Sequence, residues 1–249
     1  MVGDTRLATS GTRWPETIAR VLRLILLPLV VLAAVTLGVG WLIIKPFHAE
    51  VAGEVAVNQG LAQDRTPLFN TLTHYGSMLS DTPAIIVLTA VAALAFRFAF
   101  NRWRESIFII LSVWSQSAVF LLATVFIQRP RPTVRHLDPA PPTSSFPSGH
   151  TSAAVGFYCG MALVLTLHTH RHTVLKALWW TVGLAAPLIV GVSRLYRGMH
   201  HLTDVSWGLI LGFVCLAVVG HAILGTPLIP GRSTRSGTTT APKARATAA

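Results

Sequence analysis

The chain has 249 residues, of which 52% are hydrophobic and only 12% are charged, and its mean hydropathy is +0.58. Soluble domains carry about a quarter charged residues, so this composition excludes an ordinary soluble protein and predicts one that crosses a membrane several times. A net charge of +11 would suggest a nucleic-acid partner in a soluble protein, but here the charges flank apolar blocks and indicate membrane topology, so we expect no nucleic-acid partner.

Six apolar blocks are long enough, or nearly so, to form the helix of about 20 residues that crosses a bilayer. A cleaved signal peptide is the competing interpretation of the first block, but its apolar region would be shorter, so we predict a transmembrane helix there. The expected fold is all-α, a six-span transmembrane helical bundle with short interfacial helices on the outer face. The predicted spans are 21–44, 83–100, 107–128, 150–167, 177–192 and 205–224.

The polar segments complete the predicted organisation. Residues 1–20 form a cytoplasmic N-terminal segment, 21–224 the six-span membrane domain, and 225–249 a disordered basic cytoplasmic tail. Segment 45–81 has apolar residues at helical spacing and predicts one or two helices lying at the interface. Asp81, followed by Thr and Pro, is a helix start signal for the second span.

Basic residues set the orientation of the six spans. Arginine and lysine concentrate in the N-terminal segment, in the links 101–106 and 168–176, and in the tail, which all lie on one side of a six-span bundle. The positive-inside rule makes that side cytoplasmic. The opposite side holds 45–81, 129–149 and 193–204, and the last two are also arginine-rich. Because this breaks the rule, we expect an anion-binding site on the outer face.

Three short segments at that face carry the candidate chemistry: Arg-Pro-Arg-Pro at 129–132, Pro-Ser-Gly-His at 147–150, and the stretch 193–204. Arginines offer planar forked donors that match phosphate oxygens. Ser148 and Gly149 open a helix, where free backbone N–H groups bind anions and a residue without a side chain allows close approach. His150 and His200 can serve as acid, base or nucleophile.

The carboxylate of Asp204 follows His200 by four residues, so on a helix the two side chains share a face. The carboxylate can then orient the imidazole and stabilise its cationic form.

These segments resemble the three signature motifs of the type 2 phosphatidic acid phosphatase family, which includes bacterial undecaprenyl-pyrophosphate phosphatases. The family pattern is Lys, six residues, Arg-Pro; then Pro-Ser-Gly-His; then Ser-Arg, five residues, His, three residues, Asp. The second motif is complete at 147–150, and the third is complete at Ser193, Arg194, His200 and Asp204. In the first motif Arg131 is present, but Thr124 stands at the lysine position.

The resemblance implies a catalytic set and a phosphate-binding set. His200 attacks phosphorus and becomes a phosphohistidine, Asp204 orients His200, and His150 protonates the leaving alcohol and then activates water. The phosphate oxygens are implied to be held by Arg131, Ser148, Gly149 and Arg194. No cofactor or metal is implied, because the arginines and backbone amides supply the positive field.

The resemblance therefore implies hydrolysis of a lipid phosphate or diphosphate, polyprenyl or glycerolipid, at the extracytoplasmic face. Two alternatives stay open: a phosphotransferase on the same scaffold, and a weakened lipid-binding relative, which the absent lysine at Thr124 makes worth testing. The partners expected are the lipid substrate and membrane lipids. We expect the site at the outer ends of the third to sixth spans, with a lateral opening to the bilayer. Abundant Ala, Arg and Val with few Lys suggest a bacterial plasma membrane protein.

Overall fold

The computed structural model describes residues 14–45 and 53–225, in which all regular structure is helical. The predictions for residues 1–13 and for the tail from residue 226 onward fall outside these ranges. The helices are α1 (Trp14–Val21), α2 (Leu27–Ile44), α3 (Gly53–Gln63), α4 (Pro67–Met78), α5 (Thr82–Phe100), α6 (Arg104–Phe126), α7 (Gly149–Ala154), α8 (Gly160–His168), α9 (Thr173–Tyr196) and α10 (Leu202–Gly220). π-Helical turns at Leu22–Leu26, Val155–Cys159 and His221–Gly225 join α1 to α2, join α7 to α8, and extend α10.

Six helical stretches in the described ranges are long and apolar enough to cross a membrane, which confirms the predicted bundle. Their mean hydropathies run from 1.4 to 2.5. The spans are Ile18–Ile44, Thr82–Phe100, Arg104–Phe126, Gly149–His168, Thr173–Tyr196 and Leu202–Gly225. The fifth is longer than the predicted 177–192 because Arg194 turns its charge inward onto polar partners, so the helix continues past it.

Segment 45–81 forms two short helices, α3 and α4. The side chain of Thr66 caps α4 by accepting a hydrogen bond from the Phe69 N–H at 3.2 Å, and Pro67 occupies the first turn. Asp81 precedes α5 in extended conformation, as its sequence signal predicted. Its carboxylate makes no capping bond and is free to bond elsewhere.

Small residues let the helices pack closely. A Cβ on Gly156 would lie 2.6 Å from the Ser112 carbonyl oxygen of α6, and one on Gly76 of α4 would lie 2.3 Å from Ser193 Oγ of α9. Close approach at small residues is typical of helices that associate in a membrane. The fourth span is the most enclosed, with 61% of its apolar window buried. It therefore forms the centre of the bundle.

One end of the bundle gathers the polar connections. Arg65, just after α3, donates to the Tyr196 carbonyl at the end of α9, and Leu137 N–H donates to the Arg197 carbonyl at 3.1 Å. Helices α3 and α4, loop 127–148 and the turn 197–201 thus lie together. Most of the bundle's sides are apolar and exposed, as for Phe98 and Val192, which suits contact with lipid.

Candidate active site

The three motif segments meet at this polar end. The Ser148 N–H donates to the Asp204 carbonyl at 3.0 Å, which ties the start of α7 to the start of α10. The Ser145 N–H donates to the Arg129 carbonyl at 2.9 Å, which closes loop 127–148 on itself. The convergence expected from the sequence is therefore present in the structure.

His200 is almost completely buried, at 3% exposure, in the turn between α9 and α10. Its Nδ1 lies 2.8 Å from the Ser145 carbonyl oxygen. A carbonyl can only accept, so Nδ1 carries the proton and Nε2 keeps its lone pair. Burial lowers the pKa of His200 to about 4, although the nearby Asp204 carboxylate acts in the opposite direction. The imidazole is therefore neutral near pH 7 and able to act as a nucleophile.

The relation of Asp204 to His200 differs from the sequence expectation. His200 precedes α10, so the two residues do not share a helix face; Gly198, at φ +74°, turns the chain before α10 begins at Leu202. Asp204 Oδ2 accepts from the His201 N–H at 2.8 Å and lies 3.8 Å from His200 Nδ1, beyond a hydrogen bond. The Ser145 carbonyl sets the ring orientation, and Asp204 acts on the imidazole mainly through its charge.

His150, in the first turn of α7, lies with one quarter of its side chain exposed. Its Nε2 is 3.1 Å from Asp81 Oδ1, and its carbonyl accepts a hydrogen bond from Ser80 Oγ at 2.8 Å. The hydrogen bond from His150 lowers the pKa of Asp81 below its usual range, so this carboxylate is charged near pH 7. Burial of His150 disfavours its cationic form, and the negative charge of Asp81 acts against that effect, so Asp81 is the group that helps His150 to hold a proton.

Arg131 and Arg194 both reach the same cavity. Arg131 Nη1 donates to the Met199 carbonyl at 2.8 Å, and Arg194 Nη1 donates to Ser77 Oγ and to Asp138 Oδ2 at 2.9 Å each. The Nε atoms of both arginines are buried without a partner. Two guanidinium groups with unused donors beside one cavity are suited to binding an anion.

The carboxylate of Asp138 lies between two arginines in loop 127–148. Besides Arg194, it accepts from Arg197 Nε at 2.8 Å and from Arg197 Nη2 at 2.6 Å. Burial raises the pKa of Asp138, but the hydrogen bond from Arg197 and the charges of both arginines outweigh it and hold the pKa below its usual range. Asp138 therefore fastens the loop to the end of α9.

Of the remaining predicted phosphate ligands, one lines the cavity and the other does not. Gly149 lines the cavity at the start of α7, and an added Cβ would lie 3.0 Å from the Phe120 ring. Ser148 is fully buried, with its hydroxyl 2.9 Å from Thr151 Oγ1, and it is not among the cavity-lining residues. Thr124 also stays outside the cavity lining, and its hydroxyl donates to the Leu121 carbonyl of its own helix at 2.8 Å.

Arg129 does not replace the missing lysine. Its guanidinium donates to Asp204 Oδ1 at 2.5 Å and to Glu54 Oε2 at 2.8 Å, and none of these three residues lines the cavity. Sequence reasoning missed Asp81 as a partner of His150, and it missed Glu54, Asn58, Asp138 and the Ser145 carbonyl entirely. Asp81 offered only a helix-start signal, and the others carried no motif.

The cavity itself has a volume of about 1160 Å³. Its polar end is lined by His150, His200, Arg131 and Arg194, and the rest runs between α5 and α6 over mostly apolar side chains. Several of those are exposed on the sides of the bundle. They include Ile86, Trp114 and Leu121. A charged end and an apolar continuation with open sides match an amphipathic ligand.

Comparisons with known proteins agree with this architecture. The profile of the PAP2 superfamily matches residues 106–225. Phosphatidylglycerophosphatase B of Bacillus subtilis (strain 168) is 26% identical over 176 residues, which cover 69% of this chain and 84% of the relative.

Two crystal structures share the fold. The transmembrane PAP2-type phosphatidylglycerolphosphate phosphatase from Bacillus subtilis superposes with a TM-score of 0.65 at 22% identity, covering 82% of this chain and 94% of that one. LpxE of Aquifex aeolicus superposes with a TM-score of 0.50 at 22% identity, covering 66% of this chain and 92% of that one.

The six apolar helices and the shared fold define an integral membrane protein with the architecture of PAP2-type phosphatases. The chain is thus similar to the PAP2 superfamily over residues 106–225, and its relatives in these comparisons include membrane lipid phosphatases.

Proposed function

We propose that this protein hydrolyses a lipid phosphate or diphosphate at the extracytoplasmic membrane face, without a metal ion and through a phosphohistidine on His200. One observation carries the proposal. The neutral, buried imidazole of His200 opens onto a cavity that also contains His150 and two arginines with unused donors, and that continues as an apolar groove. A lipid phosphate has the matching distribution of charge and hydrocarbon.

The first step is attack by His200 Nε2 on phosphorus, with the Nδ1 proton held on the Ser145 carbonyl. Arg131 and Arg194, together with the Gly149 N–H at the start of α7, bind the phosphoryl oxygens on which charge builds up. For Ser148 to join this set, its hydroxyl must turn away from Thr151. The P–O bond to the lipid breaks as the N–P bond forms.

His150 then supplies the proton that the leaving alcohol needs. The Asp81 carboxylate, hydrogen-bonded to Nε2, stabilises the cationic ring against the opposing effect of burial. After the alcohol leaves, neutral His150 removes a proton from water, which attacks the phosphohistidine and frees phosphate. The single pair of histidines thus acts in both halves of the reaction.

The proposed orientation places both chain termini in the cytoplasm and the site outside. Support comes from the basic residues that flank the other end of the bundle, among them Arg97, Arg102 and Arg104. Arginines at the site end are accounted for by phosphate binding and by ion pairs with Asp138, Glu54 and Asp204.

The test is phosphate release by the purified protein in detergent, with chelator and no added metal. Substrates are phosphatidylglycerol phosphate, phosphatidic acid, and undecaprenyl phosphate and diphosphate. We expect release from at least one lipid by the native protein and by a His170→Ala control, whose histidine is exposed at the other end of the bundle, but none by His200→Ala. Equal release by His200→Ala would refute the proposal; release only with an added alcohol acceptor would indicate a phosphotransferase.

A further inference from the structure

A chain of three buried charges, which we describe as lying behind His200, starts at Asp204 next to the imidazole, and none of its members lines the substrate cavity. Glu54 Oε2 accepts from Arg129 Nη2 at 2.8 Å, and Arg129 Nη1 donates to Asp204 Oδ1 at 2.5 Å. Thr203 joins the chain, since its hydroxyl donates to Glu54 Oε2 at 3.0 Å and its N–H donates to Glu54 Oε1 at 2.8 Å. Arg129 contacts Asp204 and Glu54 contacts Thr203, so both are bonded to residues that follow His200 closely in the chain.

Burial makes the charge balance of this chain consequential. The side chains of Glu54, Arg129 and Asp204 are 10%, 6% and 0% exposed, so water screens them weakly. Arg129 alone would neutralise Asp204 and leave no net charge behind the imidazole. Glu54 restores a net charge of −1 across the three groups, which is the charge that a cationic imidazole requires as a partner.

A cationic imidazole is what the proposed reaction creates. When His200 Nε2 bonds to phosphorus, Nδ1 keeps its proton on the Ser145 carbonyl, so the phosphorylated ring carries a positive charge. Its nearest carboxylate oxygen is Asp204 Oδ2, 3.8 Å from Nδ1. The stabilisation that Asp204 can offer depends on how far Arg129 has already neutralised it.

We propose that Glu54 of α3 is a positioning residue for the reaction, acting through Arg129 and Asp204 to maintain net negative charge behind His200 as it becomes phosphorylated. The inference rests on the proposed phosphohistidine mechanism. It assigns the interfacial helix α3 a part in catalysis. Asn58, one turn further along α3, supports the same placement because its Nδ2 donates to the His200 carbonyl at 3.1 Å.

The alternative is that Glu54 only fastens α3 to α10. The two roles differ in what they do to the transition state and to the ground state. Loss of the charge lowers the stability only of species in which the imidazole is bonded to the transferring group. A loosened fold lowers the affinity of every ligand that binds in the cavity. Vanadate, which mimics the five-coordinate transition state on the nucleophile, and inorganic phosphate, a ground-state product, separate these cases.

The experiment measures inhibition constants of vanadate and of inorganic phosphate against lipid phosphate hydrolysis. For Glu54→Gln we expect the vanadate constant to rise about tenfold and the phosphate constant to stay within about twofold. The matched control is Glu105→Gln, which removes a buried, arginine-paired carboxylate from the other end of the bundle and should change neither constant. Equal rises of both constants in Glu54→Gln, or no rise in either, would overturn the proposal.

A double variant tests charge against contact. Glu54→Gln with Arg129→Gln returns the net charge behind His200 to −1 while removing both ion pairs. We expect its vanadate constant to return to within about threefold of the native value. A vanadate constant more than about threefold above the native value would overturn the proposal, and this comparison needs only the native protein, so it decides even if the single variant does not fold. Activity that survives His200→Ala would instead defeat the proposed function.

Discussion

Replacement of Asp204 by Asn tests whether charge near His200 contributes to phosphoryl transfer. The Asp204 carboxylate is fully buried and lies 3.8 Å from His200 Nδ1. Two unit charges at that distance attract by roughly 4 kcal/mol at an effective dielectric constant of about 20. Each 1.4 kcal/mol corresponds to about a tenfold change in rate, so the full interaction amounts to roughly a thousandfold. Arg129, bonded to the same carboxylate, reduces this, and we expect a loss of between about a hundredfold and a thousandfold.

The loss should appear in kcat, because the imidazole becomes cationic only as phosphorus bonds to it. KM should stay within about threefold of the native value. The assay is steady-state phosphate release from lipid phosphate in mixed micelles, with thermal unfolding measured in parallel because Asn also weakens the contact to Arg129. Asp64→Asn, at an exposed carboxylate just after α3, is the matched control and should leave both constants unchanged. A folded Asp204→Asn variant that kept more than about a tenth of native kcat, or lost activity through KM alone, would refute this reasoning.

Three further predictions concern acid stability, the groove and the missing lysine. Since the pKa of His200 is about 4 in the folded protein and near 6.5 in the unfolded chain, the unfolded state binds more protons between these values, and stability should fall as pH drops through that window. The drop in melting temperature between about pH 7 and about pH 5 should therefore be larger for the native protein than for His200→Ala; equal drops would contradict this. Ala90→Trp, in the cavity lining on α5, should raise KM for a long-chain lipid phosphate but not for a short soluble one, whereas Val91→Trp, at an exposed neighbour outside the lining, should change neither; equal effects would argue against the groove as the lipid path. Thr124 follows Phe120 and Leu121 of the cavity lining by one turn, so Thr124→Lys should bring a cation to the cavity mouth and lower KM for lipid phosphate; an unchanged KM would show that the position lies out of reach.

The spans could be predicted because a bilayer imposes a length and an apolar composition that sequence displays directly. The boundaries followed local signals where these existed, as at Asp81 before α5. The predicted boundaries were wrong where a tertiary contact extended a helix. Arg194 looked like the end of a span, yet it lies inside α9 because Ser77 and Asp138 receive its charge.

The side chains that meet around the cavity could also be named from their motifs, but their geometry could not be predicted. Spacing of four residues suggested that His200 and Asp204 share a helix face, whereas Gly198 breaks the helix and α10 begins only at Leu202. The group that orients His200 is the Ser145 carbonyl, and a backbone atom leaves no signature in a sequence.

The charge network behind His200 could not be predicted from the sequence either, because its members are far apart along the chain. Glu54 and Thr203 are 149 residues apart, and Asn58 and His200 are 142 apart. Nothing local marks Glu54 as more than a polar residue of an interfacial helix. Only the packing of α3 against the end of α9 brings it to the site.

The most direct test of the central claim is capture of the covalent intermediate. The protein would be mixed with lipid labelled with ³²P at its terminal phosphate, quenched in alkali within milliseconds, and digested for peptide mapping. We expect an alkali-stable, acid-labile label on the peptide that contains His200, absent in His200→Ala, and slower both to form and to decay in His150→Ala, which lacks the acid of the first step and the base of the second. Turnover without any label on that peptide, or a label on another residue, would contradict the claim.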